Sequence, residues 1–177
     1  MTLRTSHDDD GRQVLEDGRV TLREQLPADC ALLAEGKSGA LVWIDGIPGE
    51  GTIVAAGMTV AADAAGVFQP GWGVFAIQRS EDGVAVGGIG FHGPPTDGVA
   101  EIGYDLSVSA RGAGWATDAL LALARWAFDR PGVRRLLATT EPDNIPSQRV
   151  LERAGFTRVA DHGKLRAFEL AAPSDPA

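Results

Sequence analysis

The stretch Arg111–Thr117 has the residue types that a phosphate-binding turn requires. Gly112 and Gly114 let a ligand approach the backbone closely, and their small neighbours leave backbone N–H groups exposed. A helix start carries about half a positive charge and suits an anion, to which Arg111 adds a charge-assisted donor. We therefore expect a pyrophosphate here, although a glycine-rich turn without a ligand fits the same spacing. The stretch consists of Arg111, Gly112, Ala113, Gly114, Trp115, Ala116 and Thr117.

Two common nucleotide-binding motifs do not fit this stretch. A Walker A motif ends in Gly-Lys-Ser/Thr, which is absent here. The Rossmann fingerprint needs three spaced glycines early in a parallel βαβ unit, whereas antiparallel strands are expected before this turn. The chain of 177 residues has a net charge of −8, which argues against nucleic acid as its main partner.

The composition excludes several further classes of protein. The single cysteine, Cys30, cannot form an internal disulfide, and no Cys/His cluster has zinc-ligand spacing, so we expect no metal. No apolar run approaches the roughly 20 residues that span a bilayer, and the first residues lack the apolar core of a signal peptide. We therefore expect a cytoplasmic protein with no membrane partner.

Regular elements on both sides must position the turn. Residues 99–106 alternate as a strand before it, and apolar residues at helical spacing predict a helix from Gly114 to Phe128 after it. A buried strand over 133–140 follows, and a helix runs from about Ile145 to Ala154. Two more strands, 156–160 and 165–170, close the sheet.

The preceding residues predict a mixed, mostly antiparallel sheet. The expected elements are a strand at 19–23, a helix opening at 26–29, helices at 38–45 and 52–65, and a hairpin of strands 73–79 and 84–91 around Asp82-Gly83. We predict one α/β domain over residues 14–170, in which helices flank the sheet. The polar, aperiodic ends at 1–13 and 171–177 are expected to be flexible.

Three sequence motifs follow one another along the chain: EIGYDL at 101–106, RGAGWAT at 111–117, and an Asn-x-x-Ser segment at 144–156 that ends in Gly-Phe. The middle block fits the pattern Arg/Gln-x-x-Gly-x-Gly/Ala. In these motifs, over roughly residues 73–160, the chain resembles the GNAT N-acetyltransferases. Within that superfamily it resembles the branch of ribosomal-protein alanine acetyltransferases.

The resemblance implies acetyl-CoA as cofactor, with CoA as product, and a sheet that is splayed between the strands at 101–108 and 133–140. The pyrophosphate would lie on 111–117, and the pantetheine arm would fill the splay like an extra strand. A backbone N–H beside it would polarise the thioester carbonyl. The residues implied along the arm are Leu106, Ser107 and Val108, together with Asn144, which is also a favoured helix N-cap.

Acetyl transfer needs a base for the amine proton and a donor for the departing thiolate. By the resemblance, Glu101 is the first candidate base, with Glu141 and Asp143 next; a surface carboxylate is the alternative for each. Ser147 matches the position that points toward the cofactor sulfur, although it could be a helix hydroxyl bonded to the backbone. Many family members carry a tyrosine acid near Leu151, which is absent here.

The substrate side is expected opposite the cofactor, against the N-terminal helices and the loop after the third strand. Trp43 could be core or substrate platform, and His92 could cap a loop, bind substrate or act as an alternative base. Acidic residues around this mouth favour a cationic amine. The predicted substrate contacts are Trp43, His92, Tyr104 and Glu141.

The motifs favour transfer of an acetyl group to a primary amine by direct attack in a ternary complex. The acceptor could be a small-molecule amine or a protein N-terminus, and the resemblance makes a homodimer an expectation. Two alternatives stay open: a non-catalytic module that binds acyl-CoA, and the same fold acting with a different acyl-CoA.

Overall fold

Strands and helices alternate in the computed structural model, which describes residues 2–173. The helices are α1 (Pro27–Leu33), α2 (Glu50–Ala64), α3 (Trp115–Phe128) and α4 (Ile145–Arg153), with a 3-10 turn at Val108–Ala110. The strands are β1 (Arg4–His7), β2 (Gln13–Asp17), β3 (Val20–Glu24), β4 (Val74–Arg79), β5 (Ala85–Phe91), β6 (Val99–Leu106), β7 (Arg135–Thr140), β8 (Thr157–His162) and β9 (Leu165–Ala171).

All nine strands form one sheet in the order β1-β2-β3-β4-β5-β6-β7-β9-β8. Every neighbouring pair is antiparallel except β6 and β7, which are parallel. Helix α3 packs on one face against β2, β3, β5 and β6, and α2 packs against β4, β5 and β6. The predicted α/β fold with a mixed, mostly antiparallel sheet is confirmed.

Most predicted elements are present within one or two residues, because their hydrophobic periodicity and their turns agree with the tertiary packing. The helix expected at 38–45 is absent. There the backbone bonds to the start of β5: Ile44 N–H donates to the Ala85 carbonyl at 2.9 Å, and Ala85 N–H donates to the Val42 carbonyl at 2.8 Å. These bonds compete with a helix and bury Trp43 to 3% exposure.

The N-terminus also departs from the expectation. Within 1–13, Arg4–His7 forms β1 and pairs with β2, a strand that the sequence did not indicate. Polar contacts hold the hairpin: Asp8 accepts the N–H groups of Asp10 and Arg12, and the Arg12 guanidinium binds Asp29 at 2.8 Å. Such contacts leave no hydrophobic period. At the other end, β9 extends to Ala171, and residues 174–177 of the expected tail lie outside the described residues.

Candidate active site

A gap opens between β6 and β7. The two strands pair at only three positions, from Val99 with Arg135 to Glu101 with Leu137, and then diverge. The odd-numbered residues along β6 and just past its end bond to β5: His92 N–H donates to the Glu101 carbonyl, and Ser107 N–H donates to the Val86 carbonyl. By the alternation of a strand, the backbone groups of Ile102, Tyr104 and Leu106 point into the gap.

The glycine turn lies between β6 and α3 and is exposed to solvent. Gly112 and Gly114 have φ values of 82° and 83°, a left-handed backbone that disfavours side chains. Gly114 is the N-cap of α3, so the N–H groups of Trp115, Ala116 and Thr117 have no intrahelical acceptor. This end of α3 therefore offers the donors that an anion needs.

Arg19, the residue before β3, holds the turn from the side. Its Nη2 donates to the Ala113 carbonyl at 2.6 Å, and its Nε lies 2.7 Å from Asp118 of α3. Its guanidinium also stacks 4.1 Å above the Trp115 ring. Sequence reasoning missed Arg19 because a strand terminus 94 residues away carries no local signal of this contact.

Two buried hydroxyls flank the turn and find no hydrogen-bond partner within residues 2–173. They are the Oγ of Ser107 and the Oγ1 of Thr117. Unpaired buried hydroxyls are costly and ask for an explanation, such as a ligand. With the free N–H groups and the open space beside Gly112, they fit a phosphate-bearing ligand on this turn.

The gap opens into a cavity of about 390 Å³, hereafter the main cavity. Its walls come from α2, β5, β6, the end of β7 and the start of α4. The predicted residues that line it are His92, Tyr104, Glu141, Asn144 and Ser147.

Asn144 and Ser147 stand together at the start of α4. Asn144 is the N-cap, and its Oδ1 accepts the Ser147 N–H at 3.2 Å. Nearby, the Gln148 amide donates to the Pro142 carbonyl at 3.1 Å and fixes the loop between β7 and α4. Capping thus holds the side chains of this turn at the cavity wall.

Tyr104 of β6 crosses the gap and contacts Ser147. Its Oη lies 3.0 Å from the Ser147 carbonyl and 2.7 Å from the Ser147 Oγ. Burial raises the pKa of the phenol to about 12, so it stays protonated at neutral pH. One phenol proton serves only one acceptor at a time. When it goes to the Oγ, the serine's own proton is free to be donated elsewhere.

Glu101 does not line the main cavity, although it was the first candidate base. Its carboxylate lies 3.3 Å from His92 Nδ1 at the end of β5. The other ring nitrogen, Nε2, faces the cavity wall, since a Cβ built on Gly103 would lie 3.2 Å from it. Glu101 therefore reaches the cavity through His92.

Asp105 is a cavity residue that the predicted site set did not include. It lies at the N-terminus of α2, where Thr52 N–H donates to its Oδ2 at 3.4 Å. A Cβ on Gly49 or Gly51 would overlap its carboxylate, so these glycines make room for it. The Gly49-Glu50-Gly51 sequence at the start of α2 was the available signal.

Other expected residues lie elsewhere. Trp43 lines neither cavity; it packs with Cys30 and Leu33, and its indole donates to the Ser38 carbonyl at 3.0 Å. Val108 belongs to the 3-10 turn with 71% of its surface exposed, and its carbonyl accepts the Arg111 N–H. The extended backbone beside the gap thus ends at Leu106.

From the sequence we expect no bound metal. Among residues 2–173, no three His, Cys, Asp or Glu side chains are grouped so that they could hold a metal ion. In the same part of the chain, no helix has the length and apolar character needed to cross a membrane.

Comparison with known sequences gives one family. Residues 19–157 match the family described as acetyltransferase (GNAT) domain. The chain is 38% identical over 87 residues to the uncharacterized N-acetyltransferase YjdG of Bacillus subtilis, a match that covers 49% of this chain and 52% of that protein. The chain spans about half the length of the curated relatives it matches.

Solved structures share the fold over nearly the whole chain. The ribosomal-protein-S5-alanine acetyltransferase of Vibrio fischeri has a TM-score of 0.63 at 16% identity, covering 90% of this chain and 96% of that one. The ribosomal L7/L12 alpha-N-protein acetyltransferase in complex with coenzyme A has a TM-score of 0.63 at 20% identity, covering 90% and 97%. At identities this low, the structural similarity shows a common fold and nothing more.

Proposed function

The chain belongs to the GNAT acetyltransferase family, and on that premise we propose that it moves an acetyl group from acetyl-CoA to a primary amine by direct attack in a ternary complex. The observation that carries the proposal is the gap between β6 and β7. The gap lies along β6, the strand that leads to the glycine turn, and it opens into the main cavity, whose wall includes His92, Tyr104 and Ser147.

The cofactor end of the site is made of backbone groups. The N–H groups at the start of α3, with Arg111, hold the pyrophosphate, and Arg19 keeps the turn in place. The backbone groups of Leu106 and the Asn144 side chain hold the pantetheine arm. Acetyl-CoA supplies the acetyl group as a thioester, whose carbonyl a backbone N–H at the gap polarises.

His92 acts as the base that takes the amine proton. With its proton on Nδ1, 3.3 Å from the Glu101 carboxylate, a neutral imidazole keeps the lone pair of Nε2, beside Gly103 of the cavity wall, available to accept a proton. Glu101 fixes this tautomer and stabilises the imidazolium once it forms, so it is a positioning residue. An amine arrives mostly protonated at pH 7, and this pair provides the acceptor for its proton.

Ser147 and Tyr104 donate the proton at the leaving sulfur. Ser147 gives its hydroxyl proton to the thiolate as the carbon–sulfur bond breaks, and Tyr104 returns its phenol proton to the Ser147 oxygen. The phenolate then recovers a proton from solvent. A serine hydroxyl alone is a poor acid, and the 2.7 Å contact with Tyr104 supports this relay.

The acceptor is a cationic amine that approaches Asp105 and Glu141. Both carboxylates line the main cavity, and opposite charge favours such an amine over a neutral nucleophile. The cavity accepts a small-molecule amine or a protein N-terminus on this criterion.

Calorimetric titration with acetyl-CoA and with CoA tests the first half of the proposal. Micromolar binding near one-to-one for both ligands is expected, followed by thiol release when primary amines are added. No binding at millimolar ligand would refute the cofactor assignment. Binding without thiol release for any amine would instead favour the non-catalytic acyl-CoA module, and release only with a longer acyl-CoA would change the donor.

A further inference from the structure

A second cavity of about 230 Å³ adjoins the main one, hereafter the second cavity. The two share three wall residues: Met58, Phe91 and His92. The candidate base therefore stands at the boundary between the two spaces.

One face of α2 runs along both cavities. Gly51, Val54 and Ala55 line the main cavity, Met58 lines both, and Ala62 lines the second. Spacings of three and four residues place them on one side of the helix. At about 1.5 Å per residue, this face extends about 16 Å from Gly51 to Ala62. It is uncharged throughout, and Val54 and Met58 remain 65% and 44% exposed.

The two cavities together form one groove along α2, and they differ in charge. The main cavity has the carboxylates of Asp105 and Glu141. Among the described residues that line the second cavity, none is Asp, Glu, Lys or Arg. Its wall includes Trp72 and Phe91, whose ring centroids lie 4.8 Å apart in a tilted pair. One end of the groove thus suits an ammonium group and the other an apolar ring.

We propose that the second cavity binds the aromatic group of the acceptor amine, whose nitrogen lies beside His92 in the main cavity. The volume is sufficient, since a cavity of about 150 Å³ holds benzene. Burial against Met58, Trp72 and Phe91 removes the ring from water, and the carboxylates attract the amine end. This inference rests on the proposed function and specifies its acceptor as an aryl-bearing primary amine.

Matched acceptors test it in the wild-type protein by thiol release from acetyl-CoA. Burial of a ring predicts kcat/KM at least about tenfold higher for 2-phenylethylamine than for ethylamine, and for phenylalanyl-glycinamide than for glycyl-glycinamide. A preference within the first pair alone identifies a small-molecule acceptor, and within the second alone a peptide N-terminus. Equal rates within both pairs would overturn the inference and leave the acetyltransferase function intact.

A variant pair on α2 locates the effect. Ala62→Phe fills the second cavity and should lower the preference for the ring-bearing amine by about tenfold or more. Ala61→Phe adds the same ring at an exposed position that lines neither cavity, and it should leave the preference unchanged. Equal effects of the two variants would contradict the assignment.

Binding without turnover separates the two hypotheses. Saturable quenching of tryptophan fluorescence by 2-phenylethylamine alone is expected in the wild type and in Ala61→Phe, and its loss in Ala62→Phe. If no amine releases thiol yet this pattern holds, the proposed function fails and the binding site stands. If the quenching is absent, the second cavity does not hold the ring.

Discussion

The two ends of the candidate site are built from different chemical groups. On the side of the glycine turn, the proposed ligand contacts are mostly backbone N–H and carbonyl groups of β6 and α3. On the side of α2 and the end of β5, they are side chains: Asp105, His92 and Met58. Backbone contacts suit a ligand that never changes, whereas side chains can be exchanged to suit a new acceptor.

The largest effect is expected from removing His92 on the acceptor side. His92→Ala should lower kcat by about 10²- to 10⁴-fold, because the amine proton loses its acceptor. The affinity for acetyl-CoA, measured by calorimetry, should not change. His162→Ala, at an exposed position of β8, is the matched control and should retain full activity.

Glu101→Gln sharpens the same assignment. It keeps the side-chain shape and removes the charge, so kcat should fall less than for His92→Ala while KM for acetyl-CoA stays constant. If the variant that lacks both residues has the same kcat as His92→Ala alone, Glu101 and His92 act as one unit. An unchanged kcat would remove Glu101 from the mechanism.

The relay across the gap comes next in size. Ser147→Ala and Tyr104→Phe should each lower kcat by about 10- to 100-fold, since each interrupts the donation of one proton. If the two residues act in series, the double variant should be no slower than the slower single variant. Multiplying effects in steady-state rates would show that they act independently.

Tyr104 offers a direct reading of its environment because it is the only tyrosine in the chain. Tyrosinate absorbance should titrate near 12 in the native protein and near 10 in denaturant. Because the folded-state pKa is raised, the contribution of the protonated phenol to the free energy of unfolding is complete below pH 10 and is lost as pH rises toward 12. The loss amounts to about 2–3 kcal/mol of unfolding free energy.

Tyr104→Phe is the control for that titration. Tyr104→Phe should abolish the tyrosinate signal. It should also remove the loss of unfolding free energy that the phenol causes between pH 10 and pH 12, which urea titrations at these two pH values would measure. A native midpoint near 10 would mean that the phenol is open to solvent and not enclosed in the gap.

On the side of the glycine turn, replacing a glycine perturbs the backbone conformation. Gly114→Val places a branched side chain at φ 83°, with its Cβ 3.0 Å from Arg19 Nη2. The strain of about 1–3 kcal/mol predicts a 5- to 150-fold loss of acetyl-CoA affinity when it is relieved by moving the turn. Calorimetric titration measures this loss.

Gly132→Val is matched to that variant, because Gly132 also has a positive φ, 82°, in the turn before β7 and has open space around it. It should lower thermal stability similarly without altering acetyl-CoA affinity. Equal affinity losses in both would mean that the turn at 111–117 contributes only to folding.

Local signals predicted the structure around the glycine turn and the start of α4. The glycines of the turn, the apolar period of α3 and the cap at Asn144 each depend on residues a few positions apart, and the structure retains all three. The short helix at 38–45 failed for the opposite reason. Its propensity was weak, and bonds to Ala85, some forty residues away, determined its conformation.

The sequence alone determined the family, through its motifs, and the order of the elements and the position of the glycine turn, because these depend on residues within single segments. Only the tertiary structure decided which side chains meet. The contacts of Glu101 with His92, Tyr104 with Ser147 and Arg19 with Ala113 depend on strand register and on the divergence of β6 from β7. Since a shift of one residue in register turns each side chain to the other face, no local pattern specifies these pairs.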